Sequence, residues 1–233
     1  MKLWGTQESK TLNKVKNSAD EAVAGVKDGC VIMIGGFMVC GTSEILVDAL
    51  VRKGVKNLTV ICNDAGYFDR GVGKLLANGQ IKTLIASHVG LNPEVARRMN
   101  TDGADRLDCI LVPQGTLAER IRAGGAGLGG VLTPTGVGTI VAEGKQIITI
   151  DGKDFLLEKP LHADFAFIRA SVIDTFGNAV LLGTTKNLNL VMATAADYVI
   201  AGACKIVETG CLDPEAVHIS GIFIDAITGG EKP

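Results

Sequence analysis

Aromatic residues are scarce. Phe, Trp and Tyr make up 4% of the 233 residues, with a single tryptophan, so the core has to be aliphatic and alanine packing. There is no excess of charge of either sign: 23 Lys and Arg face 25 Asp and Glu, for a net charge of −2. The chain therefore lacks the electrostatic footprint that would favour nucleic acid or an anionic membrane. No run approaches the roughly 20 apolar residues of a membrane-spanning helix. The first sixteen residues are polar and lack the apolar centre of a secretory signal. Six cysteines, at 30, 40, 62, 109, 204 and 211, form no Cys-x-x-Cys pair and have no histidine at metal spacing. Several lie in apolar runs, as in Val60-Ile61-Cys62, as buried reduced thiols do. The expectation is a cytoplasmic protein with no disulfide framework and no metal site.

What the chain has in excess is glycine: thirty residues, about twice the usual share, with no repeating period. Such a density fits many tight strand–helix junctions, and the first of these is the most informative. Asp28-Gly29 is a turn signal, Val31–Ile34 is an apolar run of strand length, and Gly35-Gly36 interrupts it. Gly41 closes a short loop. Thr42 or Ser43 can then cap a helix with Ile45, Leu46, Ala49 and Leu50 at helical spacing and Gly54 at its end. In a parallel α/β sheet this unit turns backbone N–H groups toward whatever lies beyond the strand. The pattern is neither Gly-x-Gly-x-x-Gly nor a Walker loop. By itself it fits an anion-binding loop and an ordinary tight turn equally well.

Ser18-x-x-Glu21 reads as a capping box opening a helix to residue 27. Buried-strand runs recur at Leu58–Cys62, Ile81–Ala86 and residues 109–112, followed by Asn63-Asp64, Ser87-His88 and Pro113-Gln114-Gly115. Helices are expected near 69–77, from Asn92-Pro93 to about 100, and from a second capping box, Thr116-x-x-Glu119, to 122. This alternation predicts a mainly parallel sheet covered on both faces. Residues 123–139 include seven glycines but no serine, which favours an ordered loop over a cleft rather than a linker. Asp151-Gly152 signals a hairpin between 146–150 and 155–157. Strands at 165–170, 179–182 and 198–203, a helix at 187–196 and a turn at Asp213-Pro214-Glu215 complete the reading. It yields a polar lead-in at 1–16, one domain over 17–228 and a tail at 229–233.

Taken together the motifs are specific. They are Gly35-Gly36-Phe37 with Gly41, Asn63-Asp64, Ser87-His88-Val89-Gly90, Asn92-Pro93-Glu94, Val112-Pro113-Gln114-Gly115-Thr116-Leu117 and the glycine-rich stretch 124–139. They resemble the signatures of family I (3-oxoacid) CoA-transferases, and the α subunit of the acetate/acetoacetate/butyrate type in particular. The resemblance implies an open, mainly parallel α/β sheet with helices on both faces, of NagB/RpiA-like fold. It also implies a partner β subunit in an α2β2 assembly, and movement of CoA from an acyl-CoA to a free short-chain carboxylate. CoA is then a substrate, and no permanently bound cofactor is implied. In the family a glutamate attacks the thioester to give an anhydride. The released thiolate converts this to a glutamyl–CoA thioester, which the acceptor carboxylate resolves. That glutamate lies in a Ser-Glu-Asn-Gly motif of the β subunit, which does not occur here. The nearest string is Ser43-Glu44-Ile45-Leu46, where Glu44 suits the first turn of a helix. The chain is expected to bring no catalytic residue of its own. Two departures stand out: Gly41-Thr42-Ser43 replaces the usual Gly-Thr-Pro, and residues 184–190 lack a closing Asn-Pro, which bears on acyl specificity.

Carried over to this sequence, Gly35, Gly36, Phe37, Met38, Val39, Cys40 and Gly41 are expected to contact CoA, through backbone N–H donors and the Phe37 ring. Asn63, His88, Gln114 and Gly115 are expected at the substrate, because ligands of α/β sheets bind beyond the carboxyl ends of strands. An amide such as Gln114 can hold an acyl carboxylate without adding charge. The plainer alternatives are a turn that only shapes an interface and a hydrogen-bonded structural histidine. His162 and His218 read as surface or interface residues, and Glu119 as a capping acid. The rival function is a non-catalytic ligand-binding module of the same fold, as in sugar-phosphate-sensing repressors.

Overall fold

Each short aliphatic run forms a strand that sends alternate side chains to opposite faces. Strands β1 (Val31–Ile34), β2 (Leu58–Cys62), β3 (Ile81–Ala86) and β4 (Asp108–Leu111) lie side by side in parallel. In β1, Ile32 and Ile34 enter one core and Met33 the other. The computed structural model describes residues 13–232, so of the expected lead-in residues 1–12 lie outside the described residues. Lys16 N–H donates to Ile227 O at 2.8 Å, tying the start of the described chain to the far sheet edge.

The second half adds β8 (Ala163–Asp174), β9 (Ala179–Val180), β10 (Ala196–Val207) and β11 (Ala226–Gly229). The main sheet runs β11-β10-β8-β1-β2-β3-β4, parallel throughout, with β9 antiparallel against β8. Helices α1 (Ala19–Ala22), α2 (Glu44–Lys53), α3 (Val72–Ala77) and α4 (Pro93–Met99) feed the core on one face. Helices α5 (Gln114–Gly125) and α6 (Asn189–Met192) feed the core on the other. This is the open, mainly parallel α/β sheet that the alternation predicts. A smaller antiparallel sheet, order β5-β7-β6, is built from β5 (Val131–Thr133), β6 (Ile147–Ile150) and β7 (Lys153–Glu158). Asp151 (φ 50°) and Gly152 (φ 74°) make the β6–β7 turn left-handed at both central positions, as the Asp-Gly signal requires.

Several expectations need correction. α1 stops at Ala22 rather than 27, because Gly25 lies against the Phe165 ring while Val23 and Val26 turn into the core. Thr116-x-x-Glu119 is not a cap: α5 starts at Gln114 after Pro113, placing Thr116 inside the helix, and Glu119 pairs with Arg122 at 3.1 Å. α5 runs on through Gly124 and Gly125, where a Cβ would come within 1.9 Å of Leu161 O and 2.3 Å of Thr194 Oγ1. The stretch read as an ordered loop over 123–139 therefore begins as helix and contains β5. The helix expected over 187–196 reduces to α6, since Ala196 already belongs to β10. All six cysteines are free, but Cys40 and Cys211 are exposed, so the buried-thiol reading holds for Cys62 and not for these two. Burial pushes the Cys62 thiol well above its ordinary range. Among the described residues no helix is long and apolar enough to cross a membrane.

Candidate functional site

The chain leaving β1 proceeds toward β2 and β4, whereas the chain leaving β8 proceeds toward β10 and β11. β1 and β8 are neighbours, so the winding reverses between them, and open α/β sheets bind ligands in the crevice at such a switch point. The glycine loop leaves β1 at this place.

Gly35 and Gly36 are required there by close approach. A Cβ at Gly35 would lie 1.9 Å from Asn189 Oδ1, and one at Gly36 would lie 2.0 Å from Thr42 Oγ1. The chain then forms a two-residue hairpin: Phe37 N–H donates to Cys40 O at 2.9 Å and Cys40 N–H returns to Phe37 O at 2.8 Å. Met38 (φ 49°) and Val39 (φ 63°) occupy the left-handed turn positions. For non-glycine residues this costs about 1–3 kcal/mol each, and β-branched Val39 suits the region least. Phe37 stands 53% exposed at the tip. Among the described residues the amides of Gly36, Val39 and Gly41 have no hydrogen-bond partner, whereas those of Gly35, Phe37, Met38, Cys40 and Thr42 are occupied.

Two side chains outside the loop brace it. Asp64, buried at the end of β2, accepts Met38 N–H at 2.8 Å and Asn63 Nδ2 at 2.9 Å on Oδ2, and Gly66 N–H at 2.9 Å on Oδ1. Asn189, fully buried at the start of α6, donates to Gly41 O at 2.9 Å and Thr185 O at 3.1 Å, and its Oδ1 accepts Arg169 N–H at 3.1 Å. Asn187 adds a bond to Cys40 O at 2.9 Å.

Of the residues read from sequence, Asn63, Gln114 and His88 do gather beyond the strand ends. Ser87 Oγ links the first two, its single O–H lying within reach of Asn63 O at 2.8 Å and of Gln114 Oε1. Asn63 is buried and lines a cavity of about 10 Å³ with Gly35, Gly36, Val39 and Asp64, room for about one water. Gln114 and Gly115 are exposed and form the first turn of α5, where backbone N–H groups lack helical partners. His88 is exposed beside them, bridged through its backbone to Asp64. On the loop's other flank, a cavity of about 500 Å³ is lined by Cys40, Gly41, Arg169, Ser171, Leu182 and Cys204, among others. Arg169 was not read from the sequence. Among the described residues its Nε is buried without a partner, and its Nη2 donates to Lys232 O.

Glu44 is occupied: Oε1 accepts Gly71 N–H at 2.9 Å and Oε2 pairs with Lys74 at 2.7 Å. Burial pulls the Lys74 ammonium down, but the hydrogen bonds it donates to Asp48 and Glu44 outweigh this and hold Lys74 above its ordinary value. Ser43, at the start of α2, gives its hydroxyl to Glu231 rather than to its own helix. Glu231, within the expected tail, is thereby docked, and burial raises its carboxyl above the usual range despite bonds from Ser43 and the Ile45 amide. Among the described residues, no group of three His, Cys, Asp or Glu side chains is placed to hold a metal.

Comparison with known proteins bears on the family and the fold. The family model for Coenzyme A transferase matches residues 16–230. The chain is 51% identical over 207 residues to the acetate CoA-transferase subunit alpha of Escherichia coli (strain K12), covering 89% of this chain and 93% of that protein. It is 50% identical over 201 residues to the acetoacetyl-CoA:acetate/butyrate CoA transferase alpha subunit of Clostridium acetobutylicum, covering 86% and 91%. Among solved structures, the acyl-CoA transferase of E. coli O157:H7, in a thioester complex with CoA, superposes with a TM-score of 0.80 at 25% identity. That match covers 94% of this chain and 48% of the other, so this chain spans about half of it. Glutaconate coenzyme A-transferase from Acidaminococcus fermentans shares the fold, with a TM-score of 0.80 at 20% identity over 92% of this chain and 75% of that one.

Proposed function

The chain belongs to the coenzyme A transferase family, and from that premise we propose that it is the α subunit of a short-chain acyl-CoA:carboxylate CoA-transferase. It works with a β subunit, as α2β2, on acetate, acetoacetate and butyrate and their CoA esters. The attacking glutamate comes from the β subunit and carries CoA as a glutamyl thioester between donor and acceptor. This chain supplies the wall of the cleft. The loop 35–41 meets the thioester end of CoA, and Asn63, Gln114, Gly115 and His88 meet the acyl group and the acceptor carboxylate.

The observation that carries this reading is the convergence at the switch point. The glycine loop, Asn63 and the Ser87–Gln114 pair occupy one sheet edge, with exposed Phe37, Phe68 and Leu91 on the loops that leave it. Apolar side chains rimming a polar cleft suit a surface that a second subunit covers. The nearest acid to the loop in sequence, Glu44, is committed to Lys74 and the Gly71 amide, which fits a nucleophile supplied in trans.

The chain mixed with its β subunit is expected to transfer CoA from acetoacetyl-CoA or butyryl-CoA to acetate, and the chain alone to transfer none. Robust transfer by the isolated chain would overturn the division of labour. Calorimetric binding of a sugar phosphate with no response to CoA would favour the sensor reading instead.

A further inference from the structure

A tight turn that needs two left-handed residues is ordinarily built with asparagine, aspartate or glycine at those positions. Here the residues are Met38 and Val39. Neither carries a short polar side chain that could satisfy its own backbone, and Val39 is among the residues least suited to positive φ. The two cross-hairpin bonds close the turn but do not select its hand. The selection has to come from outside, and among the described residues the one side chain that reaches the turn's own amides is Asp64. A single oxygen of Asp64, Oδ2, accepts both Met38 N–H at 2.8 Å and Asn63 Nδ2 at 2.9 Å. Its other oxygen is fixed by Gly66 N–H. A carboxylate can accept all three, whereas an amide cannot, since one of its two ends carries hydrogens.

We infer that Asp64 is a positioning residue. By taking Met38 N–H it holds the hairpin 37–40 in its left-handed turn, and through the same atom it orients Asn63, so that the loop and the strand end are set as one unit. Asn189 anchors the loop from the opposite side by holding Gly41 O. The unbonded amides of Gly36, Val39 and Gly41 are thereby given fixed directions. The kinetic part of this inference rests on the reading of 35–41 as a CoA-contacting loop. The geometric part does not.

The test uses the full chain, alone and assembled with its β subunit. Asp64→Asn is expected to speed amide hydrogen exchange across 37–42 and to lower kcat/KM for acyl-CoA on the order of tenfold, the scale of one charge-assisted hydrogen bond. Glycine adopts positive φ without penalty. Adding Val39→Gly to Asp64→Asn is therefore expected to restore most of the exchange protection and most of the lost kcat/KM. A residue that merely stabilised the domain would not be rescued in this way. If Asp64→Asn does not fold, Asn189→Asp gives the second handle. It keeps an acceptor for Arg169 N–H, loses the donor to Gly41 O, and is expected to speed exchange at Gly41 and Thr42. Unchanged exchange in both single variants, or failure of Val39→Gly to rescue, overturns the inference. Restored exchange in an assembly that transfers no CoA even as wild type supports the positioning role and refutes the functional reading.

Discussion

At the residue scale, the site depends on two glycines that nothing larger can replace. Gly35→Ala would drive a methyl into Asn189, which is buried and cannot retreat without giving up its bonds to Gly41 O and Thr185 O. The expected loss is about 1–3 kcal/mol, read as a lower urea midpoint. A midpoint unchanged from wild type would show that the contact is slack. That Gly35, Asn63 and Gln114 stand beyond strand ends was legible in the sequence, because Gly35 and Asn63 directly follow an apolar run and Gln114 follows one after Pro113. Asn189 was not, since it reaches the loop from 148 residues away, and no local pattern announces such a partner. Glu231 offers a pH test. Its carboxyl is raised mainly by burial, so the folded state holds the proton more tightly than the unfolded chain does. The stability this confers is present below pH 4.5 and is lost as pH rises from 4.5 through the raised folded value. Glu231→Gln is expected to flatten that part of the Tm-against-pH curve, and an identical slope in both proteins would contradict the burial argument.

At the level of elements, the sequence reading was sound where an element is local and failed where tertiary packing decides. β1, β2 and β3 kept their expected bounds because four to six mostly apolar residues between turn signals leave few choices. α5 was misread at both ends. Thr116-x-x-Glu119 has the spacing of a capping box, but Pro113 starts the helix three residues earlier than that box implies. At the far end, Gly124 and Gly125 pack too closely on Leu161 and Thr194 for any side chain, so glycine there marks contact rather than a break. Thr116 Oγ1 consequently sits buried with no hydrogen-bond partner among the described residues. Thr116→Val, which keeps the shape and removes the unpaired hydroxyl, is expected to leave stability unchanged or raise it by up to about 1 kcal/mol. A loss of 1 kcal/mol or more in chemical denaturation would mean that the hydroxyl is satisfied after all.

Across the whole molecule, the two exposed thiols report on assembly. Cys40 lies in the hairpin and Cys211 follows β10, while Cys62 is buried. In the isolated chain a maleimide is expected to label Cys40 and Cys211 quickly and Cys62 only on unfolding. Addition of the β subunit is expected to protect Cys40 and leave Cys211 reactive. Protection of neither, or of Cys211 alone, would place the subunit interface away from the glycine loop. The sheet's two halves meet at a narrow seam: β1 and β8 share three residue pairs, Ile32–Ile34 with Phe165–Phe167, against ten between β8 and β10. The glycine loop straddles that seam, held by Asp64 from one half and Asn189 from the other. A molecule that bound at the loop would act as a rivet across the joint, and its grip would be felt in how the entire chain melts rather than in the firmness of one loop.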